Sequence, residues 1–366
     1  MSRFAGRANA VARALLLRRR AGAMPSDPQR ILVAHHLLLG DTLMLTPLLK
    51  KLRTLHPNAD IAMTVPEPIV PLYATRPYGV RALPYDPRHS ASALHEEAPF
   101  DVAYVPGDNR YAWLAAAMRT RFIVAFDGDR PPAKSWPVDA LIPYPQQPAA
   151  WGDLVAQLTD GPPPAPYRPD EWKAPPHDEF RLPPQRYAVL HVGASSPLKQ
   201  WTAMRWREVA GWLAARGIAP VWSAGPHERA IVDAIDPDRR HPSFAGLLDL
   251  AQLWHLLAAA DLLVAPDTGV AHLGRIVGVP TVTLFGPGSA VLCGAGDFWR
   301  DAAYRAVTIE PFPCRDQRVL FKREVEWVRR CGRSVAECPQ HLCMPAISVA
   351  AVQQAIESLL DAGNRG

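Results

Sequence analysis

The stretch Asp261-Leu262-Leu263-Val264-Ala265-Pro266-Asp267-Thr268-Gly269-Val270-Ala271-His272 holds the pattern on which the fold turns. Residues 261–265 read as a short strand, and Thr268 and Gly269 open a helix whose first N–H groups lie just past the strand's carboxyl end. The same unit recurs upstream. Ile31-Leu32-Val33-Ala34 is an apolar run followed by a turn at Gly40-Asp41, and Leu45, Leu48, Leu49, Leu52 and Leu55 then recur at helical spacing. Pro47 fits that helix only near its first turn. Further strands read at 61–65, 102–105 and 122–125. Beyond residue 185 the alternation resumes with a strand at 187–192 and a helix after Thr202 that carries Val209, Trp212 and Leu213 inward and stops at Gly217. A strand at 220–223 follows, then a helix opened by Asp249, the quoted segment, and a strand at 279–285. Short apolar strands alternating with helices predict parallel sheets covered on both faces, an α/β protein built from two such units.

Length and composition agree with that reading. A chain of 366 residues that is 48% hydrophobic and 20% charged has the make-up of a soluble globular protein with two domains. No apolar run approaches the roughly 18 residues a membrane-spanning helix needs. The net charge of +5 is mild, and with no basic stripe beyond the first 20 residues it implies no nucleic acid. Those first residues carry Arg3, Arg7, Arg13, Arg18, Arg19 and Arg20, with no acid before Asp27. They read either as a disordered basic tail or as an arm that leans on anionic lipid. Ala14-Leu15-Leu16-Leu17 runs straight into three arginines, unlike a secretory signal, so a cytoplasmic protein is expected, peripheral on the inner membrane if the arm meets lipid. Of 39 prolines, nine fall between 161 and 185, which predicts a stiff linker. Five cysteines, an odd number, argue against a disulfide framework. Cys314, Cys331, Cys338 and Cys343 cluster in sequence without a close Cys-x-x-Cys pair, so free or buried thiols are expected ahead of a structural metal.

In doubly wound sheets, ligands sit beyond the carboxyl ends of strands, and four loops there carry reactive groups. None has the glycine pattern of a nicotinamide or P-loop site, and no cofactor is expected. In the first, His35 to Thr42, Asp41 is either a helix cap or a carboxylate placed to take a proton from a substrate hydroxyl. In the second, Gly193 to Trp201, Ser195, Ser196 and Lys199 suit an anion, or form an ordinary solvated loop. In the third, Glu228 could accept from ribose hydroxyls or answer a helix dipole. In the fourth, Thr268 and Gly269 offer helix N–H groups to a phosphate, with Asp267 and His272 beside them.

These motifs resemble glycosyltransferase family 9, the lipopolysaccharide core heptosyltransferases. The resemblance rests on Leu39-Gly40-Asp41 with Thr46-Pro47, on Gly193-Ala194-Ser195-Ser196 with Lys199 and Trp201, on Asp267-Thr268-Gly269 with His272, and on Leu284-Phe285-Gly286-Pro287. It implies a GT-B fold, two Rossmann-like domains facing across a cleft. The organisation it suggests is a basic arm over 1–29, an acceptor-side domain over 30–160, the linker over 161–185, a nucleotide-sugar-binding domain over 186–345, and a helix over 346–366 crossing back to the first domain. It implies inverting transfer of a sugar, heptose from ADP-heptose, to a bacterial surface glycan or lipid-linked acceptor. Asp41 would be the general base. Lys199, Thr268 and Gly269 would hold the diphosphate, Glu228 the ribose, and Asp267 and His272 the sugar or phosphate. Lys199 and helix dipoles, not a divalent metal, would stabilise the leaving group. The segment His35 to Leu39 departs from the family pattern, which more often has an arginine and small polar residues there. Other readings are an epimerase-type nucleotide-sugar enzyme or an inactive nucleotide-sugar-binding protein.

Overall fold

The computed structural model describes residues 3–17, 22–89 and 92–363. The chain divides into two compact units, Met1–Ala165 with Arg318–Trp327, and Pro166–Gln317 with Val328–Gly366.

The N-terminal unit holds six strands: β1 (Arg30–Val33), β2 (Asp60–Val65), β3 (Val80–Pro84), β4 (Val102–Val105), β5 (Phe122–Phe126) and β6 (Ala140–Ile142). They lie in the order β3-β2-β1-β4-β5-β6, all parallel, with Ile31 opposite both Ile61 and Val102. Parallel neighbours need crossovers, supplied here by α2 (Leu39–Leu43), α3 (Thr46–Leu55), α4 (Ser92–Glu96) and α5 (Tyr111–Ala117) together with the loops, while α1 (Arg3–Leu16) precedes β1 and α6 (Trp151–Val155) follows β6. One core layer joins Leu32, Ala103 and Ile123 of the sheet to the alanines of α5 and to Ala10 and Ala14 of α1. Small side chains let these two helices approach closely.

Five strands form the second sheet: β7 (Tyr187–His191), β8 (Ala219–Ser223), β9 (Leu262–Pro266), β10 (Thr281–Phe285) and β11 (Tyr304–Thr308). Their order is β11-β10-β9-β7-β8, again all parallel. Around them lie α7 (Ala203–Ala214), α8 (Arg229–Ile235), α9 (Leu250–Ala258), α10 (Gly269–Val277), α11 (Ala290–Cys293), α12 (Cys343–Ala346) and α13 (Val349–Gly363). Asp249 opens α9 with a capping box: its carboxylate accepts from the Gln252 N–H at 2.7 Å, and Gln252 Oε1 accepts from the Asp249 N–H at 3.1 Å. Strand order reverses once in each sheet, between β1 and β4 and between β7 and β9. At such a switch point adjacent loops diverge and leave a crevice for a ligand.

Four expectations are corrected. The arm is not a disordered tail over residues 3–16: it is α1, docked on α5, with the Arg13 Nε–H donating to the Ala117 carbonyl at 3.0 Å. Arg18, Arg19 and Arg20 lie outside the described residues. Most of the proline-rich segment is not a free linker but packs on the C-terminal unit. The Tyr167 hydroxyl donates to the Ile276 carbonyl at 2.7 Å, and Trp172 is buried against Trp254. The expected domain over 186–345 is interrupted, because residues 318–327 belong to the N-terminal unit. There the hairpin of β12 (Val319–Leu320) and β13 (Arg323–Glu324) is pinned by the buried Arg323 guanidinium, which donates to the carbonyls of Gly107 and Asp127 and to Asn109 Oδ1. Finally, the last helix, expected to cross back to the first domain, packs on β10, β11 and α7 of its own unit. Val352, Ile356 and Leu359 give it a buried apolar face that the C-terminal core takes up.

Among the described residues no helix is long and apolar enough to cross a membrane.

Candidate functional site

The loops after β7, β8 and β9 converge at the switch point of the C-terminal sheet. Glu228 ties the first two together: Oε1 accepts from the Ala194 N–H at 2.8 Å and Oε2 from the Gly225 N–H at 2.7 Å. It stands at the N-cap position of α8, yet its side chain does not cap that helix. The carboxylate approaches so closely that a Cβ on Gly193 would lie 2.0 Å from Oε2, so a larger residue there would displace the Glu228 carboxylate. Each carboxylate oxygen has a second lone pair, so Glu228 can still accept from a ligand hydroxyl.

Lys199 joins the second loop to the fourth. Its ammonium donates to the Asp267 carbonyl at 2.7 Å and pairs with Asp267 Oδ2 at 3.0 Å. Asp267 directly precedes Thr268, the N-cap residue of α10, so positive charge is held beside that helix's N-terminus. The Thr268 hydroxyl is buried and makes no hydrogen bond. Gly288, after β10, allows the chain to close over Asp267: a Cβ there would lie 2.2 Å from Oδ2. Ser196 spends its hydroxyl locally, accepting from the Leu198 N–H at 3.3 Å, and Ser195 is exposed on the same loop.

His272, one turn into α10, is buried and its pKa is held well below the ordinary 6.5, first by burial and then by the charges of Arg275 and Lys199. Arg275 donates to its Nδ1. That bond makes Nδ1 the acceptor and leaves the proton of the neutral ring on Nε2, a hydrogen-bond donor. Arg275 went unread in the sequence, although its position three residues after His272 on one helix face was the available signal. It is itself buried, donating to the Cys293 carbonyl at 3.1 Å, with its guanidinium over the rings of Trp299 and Tyr304.

At the switch point of the other sheet, Asp41 is the third residue of α2 and half-buried. The cap position belongs to Leu38, whose side chain makes no cap hydrogen bond, so Asp41 is not the N-cap residue of α2 but stands in its first turn. Thr46-Pro47 opens α3, with Pro47 in its first turn. In the preceding loop His35 is wholly buried, accepts the Leu37 N–H on Nδ1 at 3.1 Å, and has its pKa lowered to about 3, chiefly by burial. It holds the loop's shape. His36 is half-buried and meets Tyr85 edge-on, while Leu38 is exposed.

Two Asp-x-Asp sequences, Asp127-Gly128-Asp129 and Asp236-Pro237-Asp238, are committed elsewhere. Asp129 accepts from the Asn109 N–H and pairs with Lys134, and Asp236 accepts from the Trp222 indole and from the backbone of Arg240 and His241. All five cysteines are free thiols, and among the described residues no group of three or more His, Cys, Asp or Glu side chains is arranged to hold a metal.

The family model described as glycosyltransferase family 9 (heptosyltransferase) matches residues 90–319. Lipopolysaccharide heptosyltransferase 1 of Pseudomonas aeruginosa is 29% identical over 177 residues, 48% of this chain and 48% of that protein, so the chain spans about half the length of that relative. Among solved structures, a family 9 glycosyl transferase of Veillonella parvula superposes with a TM-score of 0.71 at 20% identity, covering 93% of this chain and 99% of that one. The Escherichia coli heptosyltransferase WaaC with ADP gives 0.63 at 18–19% identity across its set, the ADP complex itself being 19% identical and covering 90% of this chain and 99% of that one. The architecture is the GT-B fold of these neighbours. With the family model matched over well over half of its residues, this chain belongs to glycosyltransferase family 9.

Proposed function

We propose that this protein is an inverting glycosyltransferase that moves heptose from ADP-heptose to an acceptor hydroxyl of a bacterial surface glycan, the lipopolysaccharide core. The acceptor oxygen attacks the anomeric carbon while its proton passes to the Asp41 carboxylate. The bond from that carbon to the diphosphate oxygen breaks, and ADP leaves with the electron pair. Attack from the face opposite the leaving group inverts the anomeric centre. Negative charge grows on the diphosphate, where Lys199, the N-terminus of α10 with Thr268 and Gly269, and the Nε2–H of neutral His272 can receive it. Glu228 accepts from the ribose hydroxyls. Ser195 and the loop around Ser196 border the same diphosphate.

The observation that carries this reading is the Lys199–Asp267 link, which fixes a cation at the N-terminus of α10 on the switch point of a parallel sheet. The test incubates the protein with ADP-heptose or a UDP-sugar and a heptose-deficient lipopolysaccharide, and follows free nucleoside diphosphate. Acceptor-dependent release of ADP, and not of UDP, is expected. ADP binding without release from any donor would leave a nucleotide-sugar-binding protein instead. Asp41→Ala should lower turnover by about 10²–10⁴-fold while leaving ADP affinity within about twofold. Near-full turnover in that variant would remove Asp41 from the mechanism.

A further inference from the structure

Helix α10 buries two polar side chains one turn apart, His272 and Arg275, and the transfer just described uses only the first. A guanidinium so far from water is tolerable only with partners that replace its lost hydration. Those of Arg275 come from three elements. Its Nη2 donates to His272 Nδ1 on its own helix and to the Cys293 carbonyl at 3.1 Å, and its Nη1 donates to the Gly294 carbonyl, both at the end of α11. Its central carbon lies 5.1 Å from the ring centre of Trp299 and 5.0 Å from that of Tyr304, on β11. The end of α11 and the two rings thus fix where the guanidinium stands, and through it the imidazole.

An imidazole without such a partner can carry its proton on either nitrogen or take up a second one. Arg275 removes both freedoms. A guanidinium only donates, so Nδ1 must accept and the ring proton stands on Nε2. Its charge, with that of Lys199 on the loop after β7, opposes a second proton. Asp267, just before α10, is held by Lys199. Among the described residues Nε2 makes no hydrogen bond, which leaves its proton for a ligand.

We propose that Arg275 is a positioning residue of the donor site, which holds the His272 proton on Nε2 and so makes the ring a fixed hydrogen-bond donor for the diphosphate. The inference rests on the functional reading above for the identity of the receiving group alone.

Two-bond ¹H–¹⁵N spectra of the histidine-labelled protein report the tautomer of each ring, and loss of signals in His272→Gln assigns those of His272. In the ligand-free wild type a neutral ring protonated on Nε2 is expected at pH 7 and still at pH 6. Arg275→Leu should bring in the form protonated on Nδ1. A wild-type ring protonated on Nδ1, or doubly protonated at pH 6, overturns the proposal, and that spectrum needs neither a nucleotide nor an Arg275 variant.

Calorimetric titration supplies the second arm. Arg275→Leu should weaken ADP about tenfold, the range of one hydrogen bond, and adenosine by less than about twofold. In the His272→Gln background the same replacement should cost ADP nothing further, because the group through which Arg275 acts is gone. Additive losses, or equal losses for ADP and adenosine, would make Arg275 a packing residue and overturn the proposal. A wild type that binds no ADP would remove the functional reading and with it the receiving group, while the spectra alone would decide the tautomer.

Discussion

At the scale of single residues, the side chain of Lys199 shows how a loop becomes a binding element. Held at 2.7 Å by the Asp267 carbonyl, its ammonium cannot wander as a surface lysine does, so less conformational entropy remains to be lost when a phosphate arrives. Lys199→Ala should therefore weaken ADP by about ten- to a hundredfold, the range of a charged hydrogen bond, and adenosine far less. Calorimetric titration of both ligands checks this, and equal losses would move Lys199 away from the phosphates. The neighbouring residues divide into two kinds. Glu228 and His272 could be picked out from the sequence because their residue types follow strands. What holds them, two backbone N–H groups for Glu228 and the guanidinium of Arg275 for His272, could not, because those partners arrive through folding.

At the scale of elements, burial on both faces is what makes a strand legible. The interior strands β1, β2, β4, β5, β7, β9 and β10 are apolar runs and were all anticipated. Three of the four edge strands, β3, β6 and β11, were not. An edge strand has one unpaired side and can carry Arg81 and Pro84, or Arg305, without loss, so its pattern looks like a loop. Helix α13 makes the converse point. Val352, Ile356 and Leu359 recur at helical spacing, but an amphipathic pattern names no partner, and this face is taken up by the C-terminal core. Ile356→Ala, at a wholly buried position, should destabilise that unit by about 2–5 kcal/mol. Hydrogen exchange checks it: protection should fall in β10, β11 and α7 and persist in β1, β4 and β5. Uniform loss across both sheets would contradict it.

At the scale of the whole molecule, three buried neutral histidines set a shared response to acid. Burial lowers the pKa of His35 to about 3, that of His191 to about 4, and that of His272 well below 6.5. Below pH 6.5 the unfolded chain binds protons that the folded chain refuses, so stability must fall as pH falls through that range. Each histidine contributes a slope of about 1.4 kcal/mol per pH unit, continuing down to its folded pKa. Two of the three lie in the C-terminal unit. Urea unfolding at pH 7 and pH 5 should show a marked loss of stability, and His191→Gln should reduce it; a midpoint independent of pH would refute the assignment. The sequence by itself determined the alternation of strand and helix, the proline-rich break and the residues able to carry chemistry, because each is written in local periodicity and residue type. Only the tertiary structure decided the strand orders, and with them the switch points that gather the loops of β7 and β9. It alone returned residues 318–327 to the N-terminal unit through the buried Arg323, and kept α13 on its own sheet. Those choices depend on which buried surface is left to cover, a property of the assembled chain that no local pattern contains.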